Sequence, residues 1–244
     1  APAGFKYSAR LEQVSATTSP SEYVLRQFVE MQNAYDLIGK QITLSFWYKS
    51  NRTGNHTYRF SHNSITGASS VDGNFTVNAA NTWEYKTVVL SGLVNATGSS
   101  TADNAWGIHI DVGFKNFGFG LSSINAGDYF QVTGVQLEAG ASATAFDFRP
   151  IGTELALCQR YYQESRTASG YGNTSSSIQA SVSLVVSMRA IPSVSKTSGN
   201  FQFTDGAANY TSSSAPSSYF GNNSGGSLNQ GGYSGLTLYR PLVM

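Results

Sequence analysis

The residues Gln41 to Lys49, QITLSFWYK, alternate apolar and polar side chains. Ile42, Leu44, Phe46 and Tyr48 fall on one side, with Thr43, Ser45, Trp47 and Lys49 on the other, as a half-buried antiparallel strand requires. Trp106 to Phe114 repeats the pattern: Trp106, Ile108, Ile110, Val112 and Phe114 point inward, and His109 and Asp111 are expected in solvent. Tyr129 to Glu138 begins with Phe130 and Val132 in phase but continues with Val135 and Leu137, a one-residue slip at Gly134 that marks a β-bulge. Further strands are expected at Tyr23 to Val29, Asn55 to Phe60, Gly73 to Asn78 and Trp83 to Leu90. Short strands separated by turn-rich spacers specify an all-β chain, here an antiparallel jelly-roll sandwich over residues 1–150. Its expected core holds Ile42, Leu44, Phe46, Ile108, Ile110, Val112, Phe130 and Val132.

One stretch breaks the pattern. Gly152 to Gln163, GTELALCQRYYQ, favours helix, and Asp147-Phe148-Arg149-Pro150 before it stops the preceding strand because proline cannot donate to a ladder. Thr153 is the expected cap, Glu154 lies in the first turn and Arg160 in the last, as the helix dipole favours. Leu155, Cys158 and Tyr162 form one apolar stripe and Leu157 with Tyr161 a second, so Cys158 reads as a buried, inert thiol. A helix of about ten residues cannot stand alone in water, so residues 151–166 are expected to join two β domains. Apolar on more than one side, it offers more surface than one sandwich covers, which favours three copies around an axis.

Beyond it, residues 167–244 shift to Ser, Gly, Asn and Tyr and form the second, smaller β domain. A strong strand is expected at Ile178 to Arg189, weaker ones at Ser193 to Lys196, Phe201 to Thr204 and Gly235 to Arg240. Thr211 to Gly232 has the composition of a disordered segment, but Tyr219, Phe220 and Tyr233 argue for ordered surface loops, with Gly225-Gly226 and Gly231-Gly232 as turns.

Composition narrows the function. Charged residues are 12% of the 244, against about 25% in an average soluble domain. A formal charge of +1 leaves no field to steer nucleic acid or an anionic membrane. No apolar run approaches the roughly 20 residues of a membrane span, and no signal peptide is visible. The chain begins at Ala1, as a processed or partial one would. One cysteine cannot staple the fold internally.

Catalytic patterns are sparse. His56, His62 and His109 lack zinc-binding spacing and read as surface residues. Asp103, Asp111, Asp128, Asp147 and Glu138 show no pairing in sequence that marks a glycosidase, so the chain is read as a non-enzyme without cofactor or metal. Asp72-Gly73-Asn74 and Asp103-Asn104 read as turns before they read as calcium ligands. Seven Asn-x-Ser/Thr sequons, the first at Asn51, follow from the abundance of these residues.

Glycan binding needs exposed aromatic faces flanked by amides and carboxylates. Trp47 stands on the polar side of a clean strand and is the leading candidate, with Tyr58, Trp83 and Tyr85 behind it. Burial of Trp47 against a neighbouring loop or subunit is the competing reading. In the second domain Tyr171, Tyr210, Tyr219, Phe220 and Tyr233 are the expected contact anchors, because tyrosine among small polar residues gains contact area at low entropy cost.

Gly127 to Gln163, GDYFQVTGVQLEAGASATAFDFRPIGTELALCQRYYQ, with the later VSMRAIPSV, resembles the distal part of many bacteriophage tail-fibre and virion-surface proteins. That family places a carbohydrate-binding-module-like jelly roll before the helix and a small β domain after it. The resemblance implies a homotrimer at the virion surface, touching other virion proteins and host cell-surface polysaccharide. A head decoration, cement or head-fibre role is the alternative, and a binding module of a secreted hydrolase a third.

Overall fold

The computed structural model describes residues 1–18, 22–37, 39–62, 69–90, 106–116, 119–164, 169–174, 177–191, 201–204, 209–212, 218–222, 225–231 and 241–243. The chain divides into two compact units, Ala1–Asp147 and Phe148–Met244.

The first unit contains β1 (Ala9–Glu12), β2 (Glu22–Glu30), α1 (Met31–Ala34), β3 (Ile42–Ser50), β4 (Gly54–His62), β5 (Ser69–Val77), β6 (Glu84–Leu90), β7 (Trp106–Asn116), β8 (Phe119–Gly120) and β9 (Tyr129–Ala139). One antiparallel sheet runs β1-β9-β3-β6; the other runs β2-β7-β4-β5, with β8 paired to β7. Apart from the β4–β5 and β7–β8 pairs, successive strands cross between the sheets, and the first pairs with the last, which is the jelly-roll topology. All eight residues expected in the core are buried, and Tyr48, Phe60, Phe75, Phe114 and Ile124 join them. The slip at Gly134 is a bulge: β3–β9 pairing shifts between Ser45 and Trp47, and Gly134 takes φ +58°, where a side chain is strained. Phe5 packs on that glycine; a Cβ there would stand 2.5 Å from its ring.

Several expectations fail here. β4 reads HTYRFSH over its last seven residues, and its inward phase carries His56, Tyr58, Phe60 and His62, so His56 and His62 are buried rather than at the surface. His109 is only partly exposed, wedged by Trp106 and Phe28 with ring centroids 5.3 and 5.6 Å away. Asp111 faces outward yet is fully buried, because Arg26 grips both its oxygens at 2.6 and 2.7 Å. Asp111 also lies opposite Arg59 in the register, and Arg59 grips Asp72 at 2.5 and 2.7 Å. The outer surface of this sheet therefore carries a row of alternating charge, Arg26–Asp111–Arg59–Asp72, across four strands. Asp72-Gly73-Asn74 lies in β5 and is not a turn.

The second unit contains α2 (Ile151–Gln159), β10 (Ser169–Thr174), β11 (Ser177–Ser183), β12 (Phe201–Thr204), β13 (Asn209–Ser212), β14 (Ser218–Asn222), β15 (Gly225–Gly231) and β16 (Pro241–Val243). The strands form one antiparallel sheet in the order β13-β12-β16-β10-β11-β15-β14. The expected strand to Arg189 stops at Ser183, because the Gln163 side chain takes the next backbone groups: its Oε1 accepts from Val185 N at 2.8 Å, and its Nε2 donates to Val186 O at 2.7 Å. The stretch expected as loops holds β14 and β15, so Gly225-Gly226 is strand. The expected strands at Ser193 to Lys196 and Gly235 to Arg240, and the Asp103-Asn104 turn, lie outside the described residues.

α2 differs from expectation at both ends and along its sides. Pro150 is the N-cap: Thr153 N and Glu154 N donate to its carbonyl at 3.0 and 3.2 Å, which places Thr153 inside the first turn. Arg160 closes the helix well short of residue 166. Cys158 is exposed, and no residue of the helix is buried. Among the described residues no helix is long and apolar enough to cross a membrane.

Candidate functional site

The outer side of the β1-β9-β3-β6 sheet gathers aromatic side chains. Alternation that sends Phe46 and Tyr48 into the core turns Trp47 and Lys49 outward. Register then sets Trp47 between Thr133 on β9 and Tyr85 on β6, and Lys49 beside Gln131, which faces Arg10 on β1. The Trp47 and Tyr85 rings lie 5.4 Å apart at 54°; Tyr85 is 46% exposed and Trp47 is half-buried beside it. Lys49 Nζ stands 6.0 Å from the Trp83 ring centre. The Arg10 guanidinium lies 3.7 Å over Tyr129, held by Glu12 at 2.7 Å. Cross-strand neighbours about 5 Å apart make these two rows one continuous surface.

The surface has a rim. Phe5 packs edge-on against Phe146 at 5.1 Å, and Thr133 Oγ1 donates to Tyr7 O at 2.8 Å. The chain after β9 folds back on the sheet: Thr43 Oγ1 donates to Gly140 O at 2.7 Å, and Thr144 N and Oγ1 both donate to Glu138. Those hydrogen bonds hold the Glu138 carboxyl below its usual pKa. Thr43 and Ser45 are buried, while at the other end Trp47 and Lys49 are half-buried and Tyr85 is exposed. On the far edge Asn81, at φ +60°, accepts a hydrogen bond from the Tyr129 hydroxyl at 2.5 Å.

Of the four candidates from the sequence, the structure brings Trp47, Tyr85 and Trp83 together. Tyr58 is not with them; it faces the core opposite Val112 and packs over Gly73. Tyr129, Gln131 and Arg10 join the surface and were missed, because only strand order reveals that β1 and β9 flank β3.

In the second unit the anchors do not converge. Tyr210 lies on β13 and Tyr219 and Phe220 on β14, at opposite edges of the sheet, with Tyr171 between them on β10. The Tyr171 hydroxyl donates to Gln179 Oε1 at 2.9 Å. Tyr233 lies outside the described residues.

Titratable groups elsewhere serve the fold. His56 sits in the core with its pKa lowered to about 4, mainly by burial. Asp128 binds Arg52 at 2.5 Å and the Asn125 amide at 2.8 Å. Burial alone would raise the Glu84 pKa, yet Lys86 and the Ala79 and Asn78 groups bonded to it hold it below the usual range. Among the described residues no three His, Cys, Asp or Glu side chains gather as a metal site would require. No protein-family model, curated protein or solved structure matches the chain.

Proposed function

We propose that the chain is a non-enzymatic adhesion protein of a phage virion surface, a tail fibre or spike, that works as a homotrimer and holds host-surface glycan on the outer sheet. The observation that carries the reading is the cross-strand pair of Trp47 and Tyr85, outward on a jelly-roll sheet whose inner side is already a complete core. An aromatic outside such a core contributes nothing to it, but its flat apolar surface matches the C–H side of a sugar ring. Gln131, Thr133 and Lys49, in the same two rows, supply an amide, a hydroxyl and a cation for sugar hydroxyls. The resemblance of Gly127 to Gln163 to phage fibre sequences supports the virion address.

Affinity electrophoresis of the full chain in gels containing host envelope polysaccharide tests this. Retardation is expected, and Trp47→Ala or Tyr85→Ala should weaken it about tenfold each, near 1.4 kcal/mol. Retardation unchanged by both substitutions would remove the site. No retardation of the parent would favour a head decoration or cement role.

A further inference from the structure

The inward phase of β6 carries two charges. Glu84 and Lys86 alternate with exposed Tyr85 and Thr87 and share the phase of buried Val88 and Leu90, opposite the fully buried Tyr48 and Phe46. Their side chains are only 15% and 12% exposed and are bonded to each other, Lys86 Nζ to Glu84 Oε2 at 2.5 Å. An ion pair beside an aromatic core is weak evidence for stability, since apolar residues in its place often do as well or better. A third side chain completes the group. Asn78, the residue after β5, donates Nδ2 to the same Glu84 Oε2 at 2.9 Å, while its backbone amide and that of Ala79 donate to Oε1 at 2.9 and 2.8 Å. Lys86 Nζ also donates to Thr76 O, two residues before Asn78, at 2.5 Å. One carboxylate oxygen thus holds an amine and a carboxamide together: a nucleophile, an acyl group and a proton carrier that touches both.

We propose that Lys86 and Asn78 form an intramolecular amide bond: Lys86 Nζ displaces ammonia from the Asn78 carboxamide, with Glu84 carrying the protons. Burial alone would raise the Glu84 pKa, but the bonds from Lys86, Ala79 and Asn78 hold it below its usual range, so an ionised carboxylate faces the Lys86 ammonium as its base. The bond from Nζ to Asn78 Cγ forms and the bond from Cγ to Nδ2 breaks. Two of the three Nζ protons pass through Glu84 to Nδ2, which leaves as ammonium; one positive charge enters and one departs, and Glu84 ends as it began. Asn78 is exposed, so the ammonium has an open exit to solvent. The reaction occurs once per chain and is not reversed after the ammonium diffuses away, so a slow step suffices. The product clips the end of β5, an edge strand of one sheet, to β6, an edge strand of the other, and closes the connection that carries Asn81 and Trp83.

Mass spectrometry of the full chain tests this. The intact protein, incubated in its folded form, should weigh one ammonia less than its sequence requires. After denaturation, cleavage by a glutamate-specific protease behind Glu84 should leave the peptides holding Asn78 and Lys86 joined. That result separates the amide bond from a succinimide at an asparagine, which loses the same mass and joins nothing. Lys86→Arg and Asn78→Ala should keep the full sequence mass and release separate peptides. Glu84→Gln, shown by circular dichroism to be folded, should also keep the full mass. A parent at full mass after prolonged incubation, or one whose two peptides separate on cleavage, overturns the proposal whether or not any variant folds. Ammonia loss with joined peptides in Lys86→Arg would overturn the assignment of the nucleophile, and ammonia loss that persists in Glu84→Gln would overturn the part given to Glu84.

Discussion

His56 sets how the first unit responds to acid. It is fully buried on β4, with Nδ1 2.8 Å from the Tyr48 hydroxyl and the Tyr48, Phe75 and Phe114 rings 5.3, 6.0 and 5.2 Å away. Burial, reinforced by the Arg52 and Lys86 cations, lowers its pKa from 6.5 to about 4. The unfolded chain takes up a proton as pH falls through 6.5, whereas the folded chain takes it up only near pH 4. Between those values the unfolded state binds more protons, so stability is full above pH 6.5, declines as pH drops and loses no more from this group below about 4. The displacement corresponds to about 3 kcal/mol, a large share of the 5–15 kcal/mol that holds a typical domain. His56→Gln keeps an acceptor for the Tyr48 hydroxyl and cannot titrate. In urea unfolding at fixed ionic strength and pH 7, 6, 5 and 4, the variant should start less stable yet lose about 3 kcal/mol less than the parent over the series. His109, whose pKa is also lowered by burial, leaves a residual slope in both proteins. Parallel profiles for parent and variant would refute the argument.

Leu44→Ala removes a fully buried side chain from the middle of β3 and should cost about 2–5 kcal/mol; an unchanged melting curve would overturn the register given for this strand. Asp111→Ala strips the buried partner of Arg26 and should cost about 3–5 kcal/mol in urea unfolding at pH 7; a loss below about 1 kcal/mol would mean the charged row behaves as an ordinary surface pair.

Period-two alternation located β3, β7 and β9 to within a residue or two and placed every expected core residue correctly, down to the slip at Gly134. Alternation is a property of one strand, and it read well wherever the inward phase was wholly apolar. β4 shows the limit: His56 and His62 share the phase of Phe60 and follow it into the core, although histidine by type reads as a surface residue. Asp111 was illegible for a different reason, since its burial depends on Arg26 and Arg59 from strands 85 and 52 residues away in sequence. The Trp47–Tyr85 contact likewise follows from β3 pairing with β6, and pairing order across a sandwich is not written in either strand. In the second unit Leu184, Val186 and Met188 continued the alternation of β11, yet one glutamine side chain diverted the backbone, which no periodicity records.

Pairing of the first strand with the last has a mechanical consequence. β1 runs antiparallel to β9, so residues 1–8 leave Ala9 in the direction in which β9 runs on toward Ala139, and both ends of the sandwich emerge at one end of the same sheet. Tension applied between those two ends does not shear the pair along its length. It opens the strands from adjacent ends, breaking one hydrogen bond at a time, and each bond contributes only about 1 kcal/mol net. Pulled in this way, the sandwich yields first at the Phe5 and Tyr7 contacts with Gly134 and Thr133 and next at Ala9 and Val132, and β1 peels away while the β3–β9 and β3–β6 ladders remain intact.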